Sequence, residues 1–506
     1  MKVLMISTNR NRLPVPVMPA GACLVSEAVR RAGHEVKFLD LMFEPDPARA
    51  IAAAVRAFAP DIAGVSIRNI DNNDMQNPRF YAADDVRCLP ALYGAANGSF
   101  KKNRSLPPPL PVVLGGPAVP VMPAALLRLS GADCAVISDG ETVLPLLLER
   151  FGEGRSLREA ARLTPGTAWL EDGALRKTAP PGEPGPAGPV PEGLVPVCPD
   201  YGNWIDVKKY AGLFSTAPLQ SKTGCEFNCI YCTYRKIEGG RYRLCPPELA
   251  AEAVRRLCAS GIRDIEFVDN VFNSPYEHAI AVCEEISRLP RARPGGRPRL
   301  QTIELNPLFI DDTLVDEMER AGFVGAGVTA ESASGLVLAG LGKGYGEGHV
   351  HKAAEVMRRH DMPCFWIFLL GGPGETKATV KKTLDFASRC IRPSDPVFFN
   401  IGIRIYPGTG LERIARKEGL LSLGPGEMLE PVFYISPELS PGWIISRINS
   451  CMGRQMNFIN SGSLGLKLLP RVARLFHRLG MKPPLWRHTV LIRGVLRGLG
   501  LYNGWS

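Results

Sequence analysis

Short apolar runs alternate with helically spaced stretches through the first 150 residues. Val3-Leu4-Met5-Ile6, Val36-Lys37-Phe38-Leu39 and Ile62–Ile67 read as strands. Between them, Cys23–Ala32 and the alanine-rich Pro47–Phe58 carry helical spacing, and Gly33 stops the first helix. Val112-Val113-Leu114 runs into Gly115-Gly116-Pro117, and Cys134-Ala135-Val136-Ile137 runs into Ser138-Asp139-Gly140-Glu141. Strands alternating with helices predict a doubly wound, Rossmann-like parallel sheet whose ligands sit beyond the carboxyl ends of the strands. The loops at that edge include Asn69–Arg79, Gly115–Pro117 and Ser138–Glu141.

The pattern then changes. Glu171-Asp172-Gly173, between Thr167–Leu170 and Ala174-Leu175, predicts a hairpin turn. Pro180–Pro199 is dense in Pro and Gly and reads as a linker. From about residue 215 the alternation resumes, with strand candidates Pro218–Lys222, Ile265–Val268, Thr302–Leu305, Gly325–Thr329, Phe365–Leu370 and Phe398–Ile405. Helical spacing lies between them, as in Pro247–Ala259, Tyr276–Leu289 and Gly346–Arg359. Six such units predict a partial (β/α)6 barrel with function at its carboxyl-terminal strand ends. The expected organisation is α/β: a sheet domain over 1–150, a hairpin and linker over 151–205, the partial barrel over 206–425, and a basic, mainly helical region over 426–506.

Composition narrows the function class. The chain has 506 residues, 45% hydrophobic and 22% charged, the balance of a folded protein rather than a disordered one. No window offers the roughly 20 apolar residues of a bilayer-spanning helix, and MKVLMISTNRN is too short an apolar start for a signal peptide. Thirteen cysteines without an export signal imply a reducing, cytoplasmic setting. The net charge of +10 is unevenly placed. No acidic residue follows Glu438, whereas ten Lys and Arg do, so the first 438 residues are formally neutral and nucleic acid is not an expected partner. On a helix, Val472, Leu475, Phe476 and Leu479 fall on one side and Arg471, Arg474, His477 and Arg478 on the other. Farther on, Trp486, Val490, Leu491, Val495 and Leu496 are interleaved with Arg487, Arg493 and Arg497. Two readings stand: a layer closing the open barrel, or a peripheral contact with an anionic membrane on its cytoplasmic side.

The sharpest chemical signal is Gly224-Cys225-Glu226-Phe227-Asn228-Cys229-Ile230-Tyr231-Cys232, directly after the first barrel strand. Three thiolates this close can wrap one soft-metal centre. A 4Fe–4S cluster normally takes four cysteines, so supplying three leaves one iron open to a substrate or cofactor. The alternative is a zinc site with Cys245 as its fourth ligand, or three unligated thiols.

These residues resemble the radical S-adenosylmethionine (SAM) superfamily, whose signature is three cysteines at this spacing with an aromatic, here Tyr231, before the last. Further matches end the predicted strands: Phe267–Phe272, Gly327–Ser332, Gly371–Thr376 and Tyr406–Thr409. The resemblance implies a 4Fe–4S cluster on Cys225, Cys229 and Cys232, with SAM chelated by the open iron and cleaved by an electron from a donor such as flavodoxin or ferredoxin. Tyr231, Asp269, Asn270 and Glu331 become candidates for the SAM site, and the Gly371, Gly372 and Gly374 turn for close approach to the adenosyl group. The first domain resembles the cobalamin-binding module that precedes the barrel in one class of this superfamily. Its matching residues are Pro19–Gly21, Arg31–Val36, Val113–Pro117 and Asp139–Glu141. That class lacks the D-x-H-x-x-G motif that places histidine on cobalt, and the motif is absent here. The resemblance makes cobalamin the third cofactor, with Gly115, Gly116 and Gly140 letting loops approach its nucleotide tail. The polar run Asn69–Asp74 would satisfy the corrin rim or cover the lower face of the cobalt, or serve only as a solvated loop.

The function implied is cobalamin-dependent methyl transfer to an unactivated carbon after hydrogen abstraction by a 5′-deoxyadenosyl radical. The alternative keeps the radical without methyl transfer, as in carbon–carbon coupling or cyclisation of a lipid-like substrate. Methylthio transfer lacks a second cysteine set, since Cys23, Cys88 and Cys134 are widely spaced. An electron carrier or zinc-binding protein leaves the strand-end motifs unexplained. No residue pattern names a substrate or a catalytic acid or base.

Overall fold

Val3, Leu4, Met5 and Ile6 are all buried because the first strand, β1 (Lys2–Ser7), runs inside a sheet rather than at its edge. The computed structural model describes residues 1–92, 110–179, 198–290, 297–424, 426–462 and 468–498. β1 is flanked by β2 (Glu35–Asp40) and β3 (Ile62–Ser66), and β4 (Val112–Gly115) and β5 (Cys134–Val136) continue the parallel order. The predicted hairpin forms, as β6 (Thr167–Glu171) and β7 (Ala174–Lys177). It adds antiparallel to β5, so the first sheet has seven strands, ordered β2-β1-β3-β4-β5-β6-β7, and extends past residue 150. Most of the Pro180–Pro199 linker lies outside the described residues.

The second sheet starts at β8 (Ala217–Leu219), shorter than the predicted Pro218–Lys222. The chain leaves the sheet there and enters β9 (Lys222–Thr223), which pairs antiparallel with β10 (Arg243–Leu244) around the cysteine loop. Then follow β11 (Asp264–Phe267), β12 (Arg299–Leu305), β13 (Phe323–Glu331), β14 (Cys364–Leu370) and β15 (Val397–Ile401), all parallel. The predicted strand Phe398–Ile405 breaks at Gly402, whose φ of 74° belongs to the left-handed region that glycine tolerates. Beyond it, β16 (Ile403–Arg404) pairs with β17 (Phe433–Tyr434) outside the main sheet. Helices Pro247–Ala259, Tyr276–Ser287, Asp312–Ala321, Glu347–Arg359 and Lys377–Cys390 connect the strands.

The basic C-terminal region, read as mainly helical, contributes a seventh barrel strand, β18 (Phe458–Asn460), parallel to β15. The order is β18-β15-β14-β13-β12-β11-β8, with the two edges unpaired to each other. Inward side chains from both edges, Pro218 on β8 and Ile459 on β18, line one cavity together with Ile303 and Ile367. The sheet is therefore curled into an open barrel.

The C-terminal segment also closes the start of that barrel. A Cβ on Gly325 would stand 2.6 Å from the Trp486 ring, so the glycine makes room for the indole. Trp486 lies 5.7 Å from Phe365, which stacks on Phe398 at 6.1 Å. Arg493, one of the ten basic residues of the tail, is buried and donates to the carbonyls of Met452, Met456 and Phe458. Among the described residues, no helix is long and apolar enough to cross a membrane.

Candidate active site

The cysteine loop is held by backbone before any metal is considered. Gly224 has φ 85°, and a Cβ there would come within 1.9 Å of the Arg241 carbonyl oxygen, so only glycine starts this turn. The Cys225 amide donates to Gly239 O (3.2 Å) and that of Ile230 to Leu341 O (3.1 Å), while Ile230 O accepts from Leu411 (2.8 Å). Glu238 clamps the loop from below, accepting from the Gly224 amide (3.0 Å), Asn270 Nδ2 (2.6 Å) and Gln220 Nε2 (3.1 Å). Burial pushes the Cys225 and Cys232 thiols up, Cys232 to about 12. A cationic centre is what would hold them as thiolates.

Cys245 stands apart from this triplet. Cys225, Cys229 and Cys232 act on one another electrostatically, whereas Cys245 is influenced by Asp269 and Glu248 instead. Cys245 turns its sulfur to Pro246 O (3.2 Å). Among the described residues, the one set of three potential ligand atoms within 4.8 Å of each other is Asp316, Glu319 and His360. Three thiols from one loop, with Cys245 turned away from them, suit a cluster that leaves one iron open rather than a four-ligand zinc site.

Tyr231 reaches from this loop to the end of β13. Its hydroxyl donates to Glu331 Oε1 at 2.7 Å, and Lys343 Nζ donates to the same oxygen at 3.0 Å and to the Tyr231 oxygen at 3.2 Å. Burial works against the Lys343 charge, but the Glu331 carboxylate with Tyr231 and Tyr345 outweighs it, so the ammonium is held charged. Glu331 Oε2 is buried without a hydrogen-bond partner, on a residue with φ 60°. An unpaired buried carboxylate oxygen on strained backbone is a feature ligand sites retain at a cost of about 1–3 kcal/mol.

The other strand ends are organised differently. Asp269 is fully buried and spent internally, accepting from the Ser221 amide (2.7 Å), the Ser221 hydroxyl (2.7 Å) and the Lys222 amide (3.2 Å). Asp269 and Asn270 therefore fix the chain leading into the cysteines. The Gly371-Gly372-Pro373-Gly374 turn is gathered by Glu375, which accepts from the Gly371 and Gly372 amides. Glu375 Oε1 has no partner, and burial pushes this carboxyl up to about 7. Glu304 on β12 is pushed up to about 8 by burial and by the Glu331 carboxylate.

Between the domains lies a cavity of about 660 Å³. Its polar lip comes from first-domain loops, with Asn11, Arg68, Asn69, Asn73 and Asn77, and its floor inside the barrel is mainly apolar, Ile303, Phe365, Ile367 and Phe398 surrounding the polar Glu266, Gln301 and Asn400. Among the described residues, no histidine lines it. The Asn69–Asp74 run mainly docks the domains: Asp71 forms a buried ion pair with Arg404 (2.7 Å), and Asn73 accepts from Tyr406 (3.0 Å). Arg243 adds a second bridge to Asp139. Gly116 packs against the β3 end, where a Cβ would meet Ile67 O at 2.5 Å, while Gly140 abuts Val25 and Gly115 faces open space. His34 sits before β2, at the amino-terminal edge of the sheet beside the Met1 amino group (3.4 Å), far from the ligand edge.

Residues 219–387 match the family model described as the Radical SAM superfamily. This barrel is a radical SAM domain. Its superfamily's cofactors are the 4Fe–4S cluster and SAM. Over 408 residues the chain is 25% identical to an uncharacterized methyltransferase of Pyrococcus horikoshii, covering 80% of this chain and 79% of that protein. It is 24% identical over 375 residues to the anaerobic magnesium-protoporphyrin IX monomethyl ester cyclase of Cereibacter sphaeroides, covering 73% of this chain and 56% of the cyclase. The solved structure of TsrM from Kitasatospora setae, a radical SAM methyltransferase with cobalamin and a 4Fe–4S cluster bound, superposes with a TM-score of 0.81 at 21% identity, covering 99% of each chain.

Within the radical SAM domain, sequence reasoning had no hold on Lys343, Glu238, Glu304 or Glu375. Lys343 lies between glycines in a loop, and only the fold brings it to Glu331. Glu375 was visible inside Gly371–Thr376, but its task, tying the turn's amides, is a contact rather than a spacing.

Proposed function

We propose that the protein is a cobalamin-dependent methyltransferase of the radical SAM superfamily that methylates an unactivated carbon. The observation that carries the reading is the cavity running from the first-domain loops at Asn11 and Arg68–Asp74 into the barrel. It spans from the domain that would hold cobalamin into the barrel that would hold SAM, so a substrate in it would have one cofactor domain on each side. The full-length likeness to the TsrM fold and the P. horikoshii methyltransferase add support.

The residues present fit all three groups. Cys225, Cys229 and Cys232 would hold the cluster, with Cys245 outside it. Glu331, steadied by Tyr231 and Lys343, would accept a hydrogen bond from the SAM ammonium or ribose through its free Oε2. The turn at Gly371, Gly372 and Gly374 would lie against the adenosyl group. The amide-rich lip suits the amide-rimmed corrin, and Gly115, Gly116 and Gly140 border the loops that would meet its nucleotide tail. When bound, the cluster and SAM supply reductive cleavage of a sulfonium, and cobalamin supplies a transferable methyl group. The chain's task is to position the substrate carbon, exclude water with the Trp486 closure, and admit an electron from a flavodoxin- or ferredoxin-like donor.

A second reading, radical carbon–carbon coupling or cyclisation without methyl transfer, is favoured by the likeness to the C. sphaeroides cyclase. An anaerobic assay with methyl-labelled SAM and fractionated extract as substrate source separates the two. Labelled methyl product together with 5′-deoxyadenosine supports methyl transfer. Deoxyadenosine with no labelled product supports the second reading, and neither would overturn both.

A further inference from the structure

The C-terminal helix Leu469–Arg478 has two apolar faces, and the fold uses one of them. Leu469, Ala473 and Phe476 turn inward and pack with Phe214, Leu485 and Ile492. Leu475 and Leu479 stay 53% and 66% exposed, with Leu468 beside them at 43%. At helical spacing these three leucines and Val472 form a stripe about 60° wide, and Arg471, Arg474 and Arg478 lie together along one side of it. The next helix, Thr489–Gly498, repeats the arrangement: Ile492 packs inward while Leu491 and Val495, one turn apart, are 51% and 53% exposed. Lys482, Arg487 and Arg497 are exposed around them. None of these six basic residues meets a carboxylate among the described residues, and no acidic residue exists after Glu438 to offer one.

A fold that needed this segment only to close the barrel would have no use for the second stripe. Leucines this exposed, beside unpaired arginines, are costly in water unless something covers them. The charge selects the occupant. An anionic lipid surface neutralises the arginines and takes the leucines into its interface. The same segment is also the wall of the cavity, through Leu469, Leu485, Trp486, Ile492 and Leu496. The outer stripe and the cavity floor are thus two sides of one helical layer.

We infer that the C-terminal cap docks on an anionic membrane surface, and that the cavity behind it, mainly apolar but lined also by Arg68, Glu266 and Gln301, takes a lipid-borne substrate with an apolar body and a polar group. The substrate half rests on the reaction proposed above. The docking half does not.

The test uses the full-length, cluster-reconstituted protein. Truncating the tail would remove Trp486 and Arg493, which close the barrel and anchor the tail. Cosedimentation is measured with phosphatidylcholine vesicles, with and without phosphatidylglycerol, at low and high salt. The expected result is binding only to the phosphatidylglycerol vesicles, weakened by salt. Each basic residue near such a surface is worth about a fivefold change in partition. Arg474→Glu/Arg478→Glu is therefore expected to lower binding at least ~25-fold, and Leu475→Gln/Leu479→Gln to weaken the part that survives salt. Absence of binding to anionic vesicles at low salt, or equal binding by the variants, would overturn the proposal. So would leucine variants that abolish only self-association in sedimentation, since the stripe would then belong to a second copy. SAM cleavage assayed in vesicle-free solution gives a separate readout. Its failure in the unaltered protein counts against the enzymatic reading and leaves the vesicle result standing.

Discussion

The Tyr231 hydroxyl donates to Glu331 Oε1 across 2.7 Å, although 100 residues separate them in the chain. This bond joins the cysteine loop to the end of β13, so whatever occupies the cluster site is in register with the carboxylate that faces it. Lys343 completes the contact and leaves Glu331 Oε2 as the single open acceptor of the group. Replacing Glu331 with Gln is expected to raise the dissociation constant for SAM about 10- to 100-fold, the worth of one hydrogen bond to a charged group. Iron and sulfide content should not change. Because the substitution strips Lys343 of its counter-ion, Glu331→Gln/Lys343→Met distinguishes lost recognition from lost folding. Equilibrium dialysis with labelled SAM decides it, and undiminished affinity in both variants would remove Glu331 from the SAM site.

The cysteines divide three to one. Cys225→Ala, Cys229→Ala and Cys232→Ala should each abolish the broad visible absorbance of the cluster and all reductive cleavage of SAM. Cys245→Ala should retain both, since that sulfur faces Pro246 O. A requirement for Cys245 in cluster assembly would mean that no iron is left open, and the chelation argument would go with it.

Arg404 and Asp71 hold the two domains together through a buried ion pair. Removing one partner of such a pair leaves an uncompensated charge and costs about 3–5 kcal/mol. Arg404→Ala is expected to lower the denaturant midpoint and to weaken corrinoid retention, because the Asn69–Asp74 loop loses its anchor. Arg404→Met/Asp71→Leu should restore much of the stability, as no charge is then stranded. If Arg404→Ala unfolds like the parent protein, the loop is held by its other contacts.

Much of this architecture is legible in the sequence because burial on both faces of a parallel strand leaves a short β-branched run such as Val112-Val113-Leu114, and the Gly115-Gly116-Pro117 that follows marks it as a strand end. The cluster ligands are legible because three ligands to one centre come from one short loop. What escapes is long-range. β18 is three residues with no periodicity, and only its pairing with β15 defines it. Asp269 reads as a ligand-facing carboxylate, yet its oxygens are consumed by Ser221 and Lys222, partners that no spacing announces. The split of the tail's apolar sector, with Phe476 inward and Leu475 and Leu479 outward, depends on where Phe214 and Leu485 stand.

Cobalt bound in the first domain should carry no imidazole from this chain. His34 lies at the opposite edge of the sheet from the ligand-bearing loops, and among the described residues no histidine lines the cavity. The EPR spectrum of the reduced cobalt is expected to lack protein-nitrogen hyperfine splitting. Such splitting, lost on His34→Ala, would place the corrinoid somewhere other than the carboxyl edge of the first sheet.

Two buried carboxyls set an expectation for stability against pH. Burial pushes Asp85, which accepts from Thr8 Oγ1 at 2.9 Å, up to about 7, and Glu375 to about 7 as well. In the unfolded chain both titrate near the ordinary carboxyl range, about 4. Between those values these two carboxyls, like Glu304 and Glu141, which burial pushes up to about 8 and about 7, hold protons in the folded protein that the unfolded chain has released, so stability falls as pH rises. Their contribution is fully present below about pH 4 and is lost by the time the pH has passed through 7. Each group accounts for up to about 3–4 kcal/mol across the window. Melting of the cofactor-free protein should therefore shift to lower temperature from pH 5 to pH 8. Asp85→Asn and Glu375→Gln should each flatten the dependence, because neither amide takes up or releases a proton there. A melting temperature that rises with pH over this interval would show that both carboxyls are ionised in the folded chain, with neighbouring amides and hydroxyls carrying their charge.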